Sequence, residues 1–212
     1  MKNTIKDIFR PIVVKSIDSW TRNKTITQWN KAGRPAPPPH IVKQNIIQEF
    51  QRKTGYSILI ETGTYVGEMV EAQKSKFEKI ISIELGQELA EKARDKFVED
   101  RHISIVQGDS GKVLPSLLKQ IDEPAILWLD GHYSEGITAK GDTECPIFEE
   151  LEAIFTNKNL HHLILIDDAR LFTGEGDYPS IKDLTDFVKA KNSHYTVKVE
   201  DDIIRAEMGT KQ

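Results

Sequence analysis

The chain of 212 residues has a single cysteine, Cys145. An intrachain disulfide is excluded, and a reducing compartment is the natural setting. No apolar run approaches the roughly 20 residues that a membrane helix needs. The first residues, Met1-Lys2-Asn3-Thr4-Ile5-Lys6, lack the apolar stretch of a secretion signal. Together these absences lead to the expectation of a cytoplasmic protein. Positive charge is not in excess either: 29 Lys and Arg stand against 33 Asp and Glu, a formal net charge of -4. Nucleic-acid binding normally needs a basic face, so neither a nucleic-acid nor a membrane partner is expected. There is no internal repeat.

With 38% hydrophobic and 29% charged residues, the composition suits a folded globular chain. Its length fits one domain with an N-terminal extension. Residues 1–56 read as an arm, a linker and a helix packing on the core; residues 57–212 read as the ligand-binding domain. Four of the nine prolines fall in Arg34-Pro35-Ala36-Pro37-Pro38-Pro39-His40. That segment should be extended and polyproline-like, either as a stiff linker or as a lid edge. From Ile41 to Arg52 the spacing of Val42, Ile46 and Phe50 is helical, and Gly55 lies just past the end.

From Ser57 onward short apolar runs alternate with amphipathic stretches. Strands are expected near 57–61, 79–84, 103–107, 125–130 and 162–167, and helices near 66–77, 86–98, 111–120, 143–156 and 179–191. This pattern means βαβ units and a doubly wound, mostly parallel α/β sheet covered on both faces. Tyr195 to Glu200 and Ile203 to Glu207 alternate apolar and polar residues about Asp201-Asp202, as a C-terminal antiparallel hairpin would.

The acids at the strand ends carry the functional signal. Ile58-Leu59-Ile60 runs into Glu61, Ile81-Ser82-Ile83 into Glu84, Ile103 to Gly108 into Asp109, and Ile126 to Leu129 into Asp130. In an open parallel sheet, ligands bind outside the carboxyl ends of the strands. The acids therefore describe one site, for a ligand rich in hydroxyl and amino groups. The loop after the first strand is Glu61-Thr62-Gly63-Thr64-Tyr65-Val66-Gly67. It departs from the dinucleotide fingerprint, because Tyr65 stands where the second glycine would let a pyrophosphate approach. Glu61 would also repel a pyrophosphate and favour an ammonium. Glu84, 21 residues after Gly63, stands near the spacing at which an acid grips ribose hydroxyls.

These residues resemble the class I S-adenosylmethionine-dependent methyltransferases over residues 57–207. Glu61 to Gly67 looks like their first motif, Glu84 like their ribose-binding acid, Gly108-Asp109-Ser110 like the segment that contacts adenine, and Asp130 like the acid after strand four. The resemblance implies S-adenosylmethionine as cofactor, held by Glu61, Gly63, Thr64, Gly67, Glu84, Asp109, Ser110 and Asp130. Gly63 and Thr64 would lie under the methionine moiety.

Two further clusters, Leu129-Asp130-Gly131-His132-Tyr133 and Ile166-Asp167-Asp168-Ala169-Arg170, should share the same edge of the sheet. Asp130, Asp167 and Asp168 form an oxygen-rich set suited to a hard cation such as Mg²⁺, and His132 is placed to take a proton. The pairing resembles the metal-dependent macrocin O-methyltransferase-like group, with two differences. The histidine follows Asp-Gly directly, and the acidic pair is Asp-Asp where Glu-Asp is common. The resemblance implies methylation of a hydroxyl on a small polar acceptor: a sugar, nucleotide-sugar or glycan. Asp130 and His132 would be catalytic, and His132, Tyr133 and Arg170 would face the acceptor.

Blander readings stay open at several positions. Asp167 or Asp168 suits a turn cap as well as a metal ligand, and Arg170 suits an ion pair as well as an acceptor anion. Cys145 fits a structural role better than a reactive one. The glycine-bearing loops 134–143 and 172–179 suit either lids or plain connections. An N-methylating or hydroxylase-like enzyme on the same scaffold, or a non-catalytic S-adenosylmethionine-binding partner domain, is the alternative to the O-methyltransferase. The oligomeric state is open.

Overall fold

The apolar runs pair into one seven-stranded sheet in the order β3-β2-β1-β4-β5-β7-β6. The structure is a computed structural model that describes residues 20–131, 145–157 and 159–209. The strands are β1 (Ile58–Thr62), β2 (Lys79–Glu84), β3 (Ile103–Gln107), β4 (Ala125–Leu129), β5 (Leu163–Ile166), β6 (Tyr195–Glu200) and β7 (Ile203–Met208). β1 to β5 are parallel, and β7 inserts antiparallel between β5 and β6. Asp201 and Asp202 take left-handed φ values of 55° and 61°. These are the values that let a two-residue turn follow the twist of its strands.

The helices are α1 (residues 20–31), α2 (His40–Thr54), α3 (Glu68–Gln73), α4 (Gln87–Lys96), α5 (Ser110–Leu117), α6 (Ile147–Ile154) and α7 (Ile181–Lys191). Strand residues alternate between the two faces, because successive side chains of a strand point opposite ways. Ile58 and Ile60 join the core beneath α5, α6 and α7, whereas Leu59 joins the one beneath α2 and α3. Val42, Ile46, Ile47 and Phe50 of α2 share that second core with Ile126, Trp128, Leu163 and Leu165. The stretch before residue 57 thus supplies part of one covering layer.

Several elements are shorter than their periodicity suggests. α3 has six residues, against an expected span of 66–77. Gly67, at φ 70°, marks its start, and Lys74 ends it. α5 tightens into a 3₁₀ turn at Leu118–Gln120. The proline segment is extended at Pro39 (φ -56°, ψ 145°) but bends at residues 36–37. It is fastened at both sides. Trp29 Nε1 donates to the Pro35 carbonyl at 2.8 Å, and Arg34 pairs with Asp201 at the hairpin tip.

At the amino edge of the sheet His162 is buried, and its Nδ1 accepts the Ala125 N–H at 3.1 Å. Burial lowers its pKa to about 4, so it is a neutral structural acceptor. Cys145 is buried as well. Burial pushes its thiol up to about 12, which rules out thiolate chemistry near neutral pH.

Candidate functional site

Strand order reverses between β1 and β4, so the crevice between their carboxyl ends is where a ligand can enter the sheet edge. The loop after β1 is shaped by its glycines. Gly63, at φ 88°, donates its N–H to the Ile83 carbonyl at 2.9 Å. A Cβ built on it would stand 2.3 Å from the Asp130 carbonyl oxygen. Glycine is therefore demanded first by the β4 backbone, before any ligand is considered. Tyr65, in the place of a second glycine, also adopts a left-handed φ of 49° and is exposed. The Gly67 Cβ position is filled by the Phe97 ring at 2.8 Å.

Beneath this loop lies a buried polar chain. Ser82 donates to Glu61, and the Ser82 and Thr64 hydroxyls lie 2.6 Å apart. β1 and β2 pair in parallel with Glu61 opposite Ser82, which is why these two side chains meet. Burial pushes the Glu61 carboxyl up to about 8; the Ser82 hydrogen bond opposes the rise and the nearby Glu84 charge adds to it. A carboxyl in this state is held neutral for want of a positive charge. Thr62 Oγ1, also buried, has no hydrogen-bond partner among the described residues. Both features fit a ligand that brings an ammonium group and further polar atoms to this loop.

Glu84 ends β2 and is buried. Its Oε2 accepts the Tyr65 N–H and its Oε1 the Gly86 N–H, both at 2.8 Å. It therefore ties the glycine loop to the start of α4, and each oxygen retains acceptor capacity for a ligand hydroxyl. Asp109 is the N-cap of α5: its Oδ1 accepts the Gly111 N–H at 3.0 Å, and Lys112 lies 3.4 Å from its Oδ2. Ser110 is buried and donates to Glu150 of α6 at 2.6 Å. These two residues hold α5 and α6 beside the crevice, and Glu150 was not singled out by sequence.

The ends of β4 and β5 carry the second cluster. Asp130 donates its N–H to the Thr62 carbonyl at 3.0 Å, and Asp167 its N–H to the Leu129 carbonyl at 3.0 Å. The two acids thus leave adjacent strands at one edge. Asp167 is fully buried, and Asp168 follows it in a left-handed turn (φ 54°). The cation among them is Lys43 of α2. Its Nζ donates to Asp167 Oδ2 and lies 3.3 Å from Asp168 Oδ1. Arg170 donates to Asp168 at 2.8 Å and to Asp202 in the hairpin turn, so its guanidinium is engaged in structural ion pairs.

With an ammonium already on Asp167 and a guanidinium on Asp168, the three aspartates as arranged do not fit a divalent ion. Among the described residues no group of three or more His, Cys, Asp and Glu side chains is disposed to hold a metal. Desolvation lowers the Lys43 pKa, but the attraction of Asp167, Asp168 and Asp130 outweighs it, and the net shift is upward. The lysine is thus a permanent cation. No sequence pattern marks it: Lys43 is one polar residue on an amphipathic helix, 124 and 125 positions from Asp167 and Asp168. His132, Tyr133 and the loop 134–143 lie outside the described residues. The loop 172–179 is closed by the Thr173–Ser180 bridge and by the edge-to-face pair of Phe172 and Tyr178 at 5.7 Å.

No family model matches the chain, and no curated protein matches it in sequence. Solved structures do match in fold. The O-methyltransferase TomG from Streptomyces achromogenes, involved in tomaymycin synthesis and in complex with S-adenosylmethionine, is 15% identical with a TM-score of 0.59, over 89% of each chain. An O-methyltransferase from Bacillus cereus in complex with S-adenosylhomocysteine is 14% identical with a TM-score of 0.56, over 89% of this chain and 90% of that one. The S-adenosylhomocysteine-bound Podospora anserina methyltransferase PaMTH1 is 13% identical with a TM-score of 0.54, over 99% of each chain. At these identities the likeness establishes the fold alone: these methyltransferases share the mostly parallel, Rossmann-like sheet with antiparallel C-terminal strands.

The close approach at Gly63 leads to a stability prediction. Gly63→Ala should lower unfolding free energy by about 2–4 kcal/mol, from the left-handed φ and the backbone collision together. Gly55→Ala, at φ 71° with open space around its Cβ position, should cost about 1–2 kcal/mol. Urea denaturation of the two variants makes the comparison; equal losses would remove the role given to the Asp130 carbonyl.

Proposed function

We propose that this protein is an S-adenosylmethionine-dependent O-methyltransferase acting on a hydroxyl of a small polar acceptor: a sugar, nucleotide-sugar or glycan. The observation that carries the reading is the glycine loop at the β1–β4 switch point, with the uncompensated Glu61 carboxyl beneath it and Glu84 at its side. The fold neighbours crystallised with S-adenosylmethionine or S-adenosylhomocysteine support the cofactor. The acceptor class rests on the resemblance of the Asp130 and Asp167 segments, and a small-molecule partner agrees with a net charge of -4.

When bound, S-adenosylmethionine supplies an electrophilic methyl group. In this reading Glu84 accepts hydrogen bonds from the ribose hydroxyls, Gly63 and Thr64 lie under the methionine moiety, and Glu61 answers its ammonium through the field of the buried carboxyl. Asp109 and Ser110 border the adenine side. Asp130 orients the acceptor hydroxyl and His132 takes its proton, so that positioning supplies much of the rate.

Calorimetry tests the cofactor side. Glu84→Ala should weaken S-adenosylmethionine affinity by about tenfold or more, since hydrogen bonds to a carboxylate contribute about 1.5–3 kcal/mol each. Unchanged affinity in a folded variant would remove the assignment.

Glu61 adds a pH dependence. Its pKa of about 8 lies above the ordinary carboxyl value, so it is mostly protonated at pH 7. A cationic ligand favours the ionised form. Affinity should therefore rise with pH up to about 8 and level off above it, by at most about tenfold per pH unit. Proton release on binding, read as a buffer-dependent enthalpy, should accompany the rise at pH 7. Glu61→Gln should abolish both effects; a pH-independent wild type would contradict the placement of the ammonium.

The chemistry is tested by S-adenosylhomocysteine formation over a panel of hydroxylated acceptors. His132→Ala should reduce turnover by about 10²–10⁴-fold with nearly unchanged cofactor affinity, because a base acts mainly in the transition state. The acid limb of the wild-type rate, near pH 6.5 unless the site shifts it, should vanish with it. Near-normal turnover with the limb retained would exclude His132.

A further inference from the structure

We propose that the Lys43 ammonium is the resident cation of the acceptor side, occupying the counter-charge position on the carboxylates of Asp167 and Asp168 that a metal ion would otherwise need. The charge balance at this corner requires a cation. Asp167 is fully buried at the end of β5, and an ionised carboxylate without a counter-charge is costly there. Both of its oxygens are engaged: Oδ2 with Lys43 Nζ, and Oδ1 with the Asp168 N–H at 2.8 Å. Asp168 Oδ1 lies between Lys43 at 3.3 Å and Arg170 at 2.8 Å. Asp130 adds its negative field at the same ammonium.

The lysine is built in rather than draped over the site. It projects from the first turns of α2, whose Val42, Gln44, Ile46 and Ile47 are buried on either side of it. Its own side chain is 14% exposed. A Mg²⁺ ion needs near-octahedral oxygens at about 2.0–2.1 Å. It would have to expel an anchored ammonium of like charge to reach the Asp167 carboxylate. An ammonium also differs from a metal in what it offers an acceptor. It carries one charge and three N–H donors, so it orients an oxygen by hydrogen bonding without chelating a vicinal pair. Arg170, farther out and tied to Asp202, buttresses Asp168 but does not reach Asp167.

If Lys43 is the counter-charge of Asp167, removing it should leave that carboxylate open to another cation. The experiment is titration of Mn²⁺ into the full chain, followed by electron paramagnetic resonance, for wild type, Lys43→Ala, Lys43→Met and Lys43→Ala/Asp167→Asn. The wild type should take up Mn²⁺ only weakly. Lys43→Ala and Lys43→Met should each bind about tenfold or more tightly than wild type, and Asp167→Asn should cancel the gain. Lys43→Met retains side-chain bulk if the alanine variant fails to fold. A melting temperature raised by Mn²⁺ in either single variant, but not in wild type, reads the same event. Wild-type binding as tight as that of the variants would overturn the proposal, as would two folded variants with no gain.

These readouts need neither cofactor nor turnover, so they stand apart from the methyl-transfer reading. One further arm rests on that reading: wild-type S-adenosylhomocysteine formation should persist in excess EDTA. Loss of that rate with recovery on Mg²⁺ would overturn the role of Lys43 while leaving methyl transfer intact.

Discussion

Five parallel strands bring six acidic side chains, Glu61, Glu84, Asp109, Asp130, Asp167 and Asp168, to one edge of the sheet, and each acid there must be neutralised, hydrogen-bonded or left facing water. Desolvating a carboxylate costs far more than most single contacts return, so this requirement shapes the whole corner. Glu84 answers it with two backbone N–H groups, Asp109 with a helix N-terminus, Asp167 with Lys43, and Asp168 with Lys43 and Arg170. Glu61 is answered by the Ser82 hydroxyl, and its carboxyl is pushed up to about 8. Among the described residues, cations therefore stand on the acids of the β5 end, and none pairs with Glu61 beside the glycine loop.

That asymmetry divides the site. The β1–β2 side holds a loop whose backbone is forced by close approach at Gly63 and Gly67 and whose buried Glu61 pairs with no cation among the described residues. A sulfonium ligand with an ammonium group complements it. On the β4–β5 side an internal ammonium is packed under α2, and a guanidinium ties the β5 end to the hairpin turn. Helix α2 therefore supplies a charge to this corner as well as part of its cover. The Arg34 pairing with Asp201 ties the proline segment to the same hairpin whose Asp202 holds Arg170.

Much of the fold is legible in the sequence, because strands buried on both faces write continuous apolar runs and helices write a 3.6-residue period. Ile58 to Ile60, Ile80 to Ile83 and Ala125 to Leu129 all pair in parallel as their patterns imply, and the alternating residues 195–208 form the hairpin. Helix ends were less legible. The αL residue Gly67 and the short α3 are set by the Phe97 ring and the loop geometry, which propensity does not encode. The acids of the candidate site were legible too, since each closes an apolar run.

What the sequence by itself determined is therefore the architecture and the row of strand-end acids, both local consequences of periodicity and turn chemistry. Only the tertiary structure decided how each acid is used. Arg170 became an ion-pair partner because the hairpin brings Asp202 to it. Asp167 acquired an ammonium because α2 packs across the β4–β5 face with Lys43 toward the carboxyl edge. A pairing across 124 positions leaves no periodic trace in the chain, since it depends on how two separately formed layers dock.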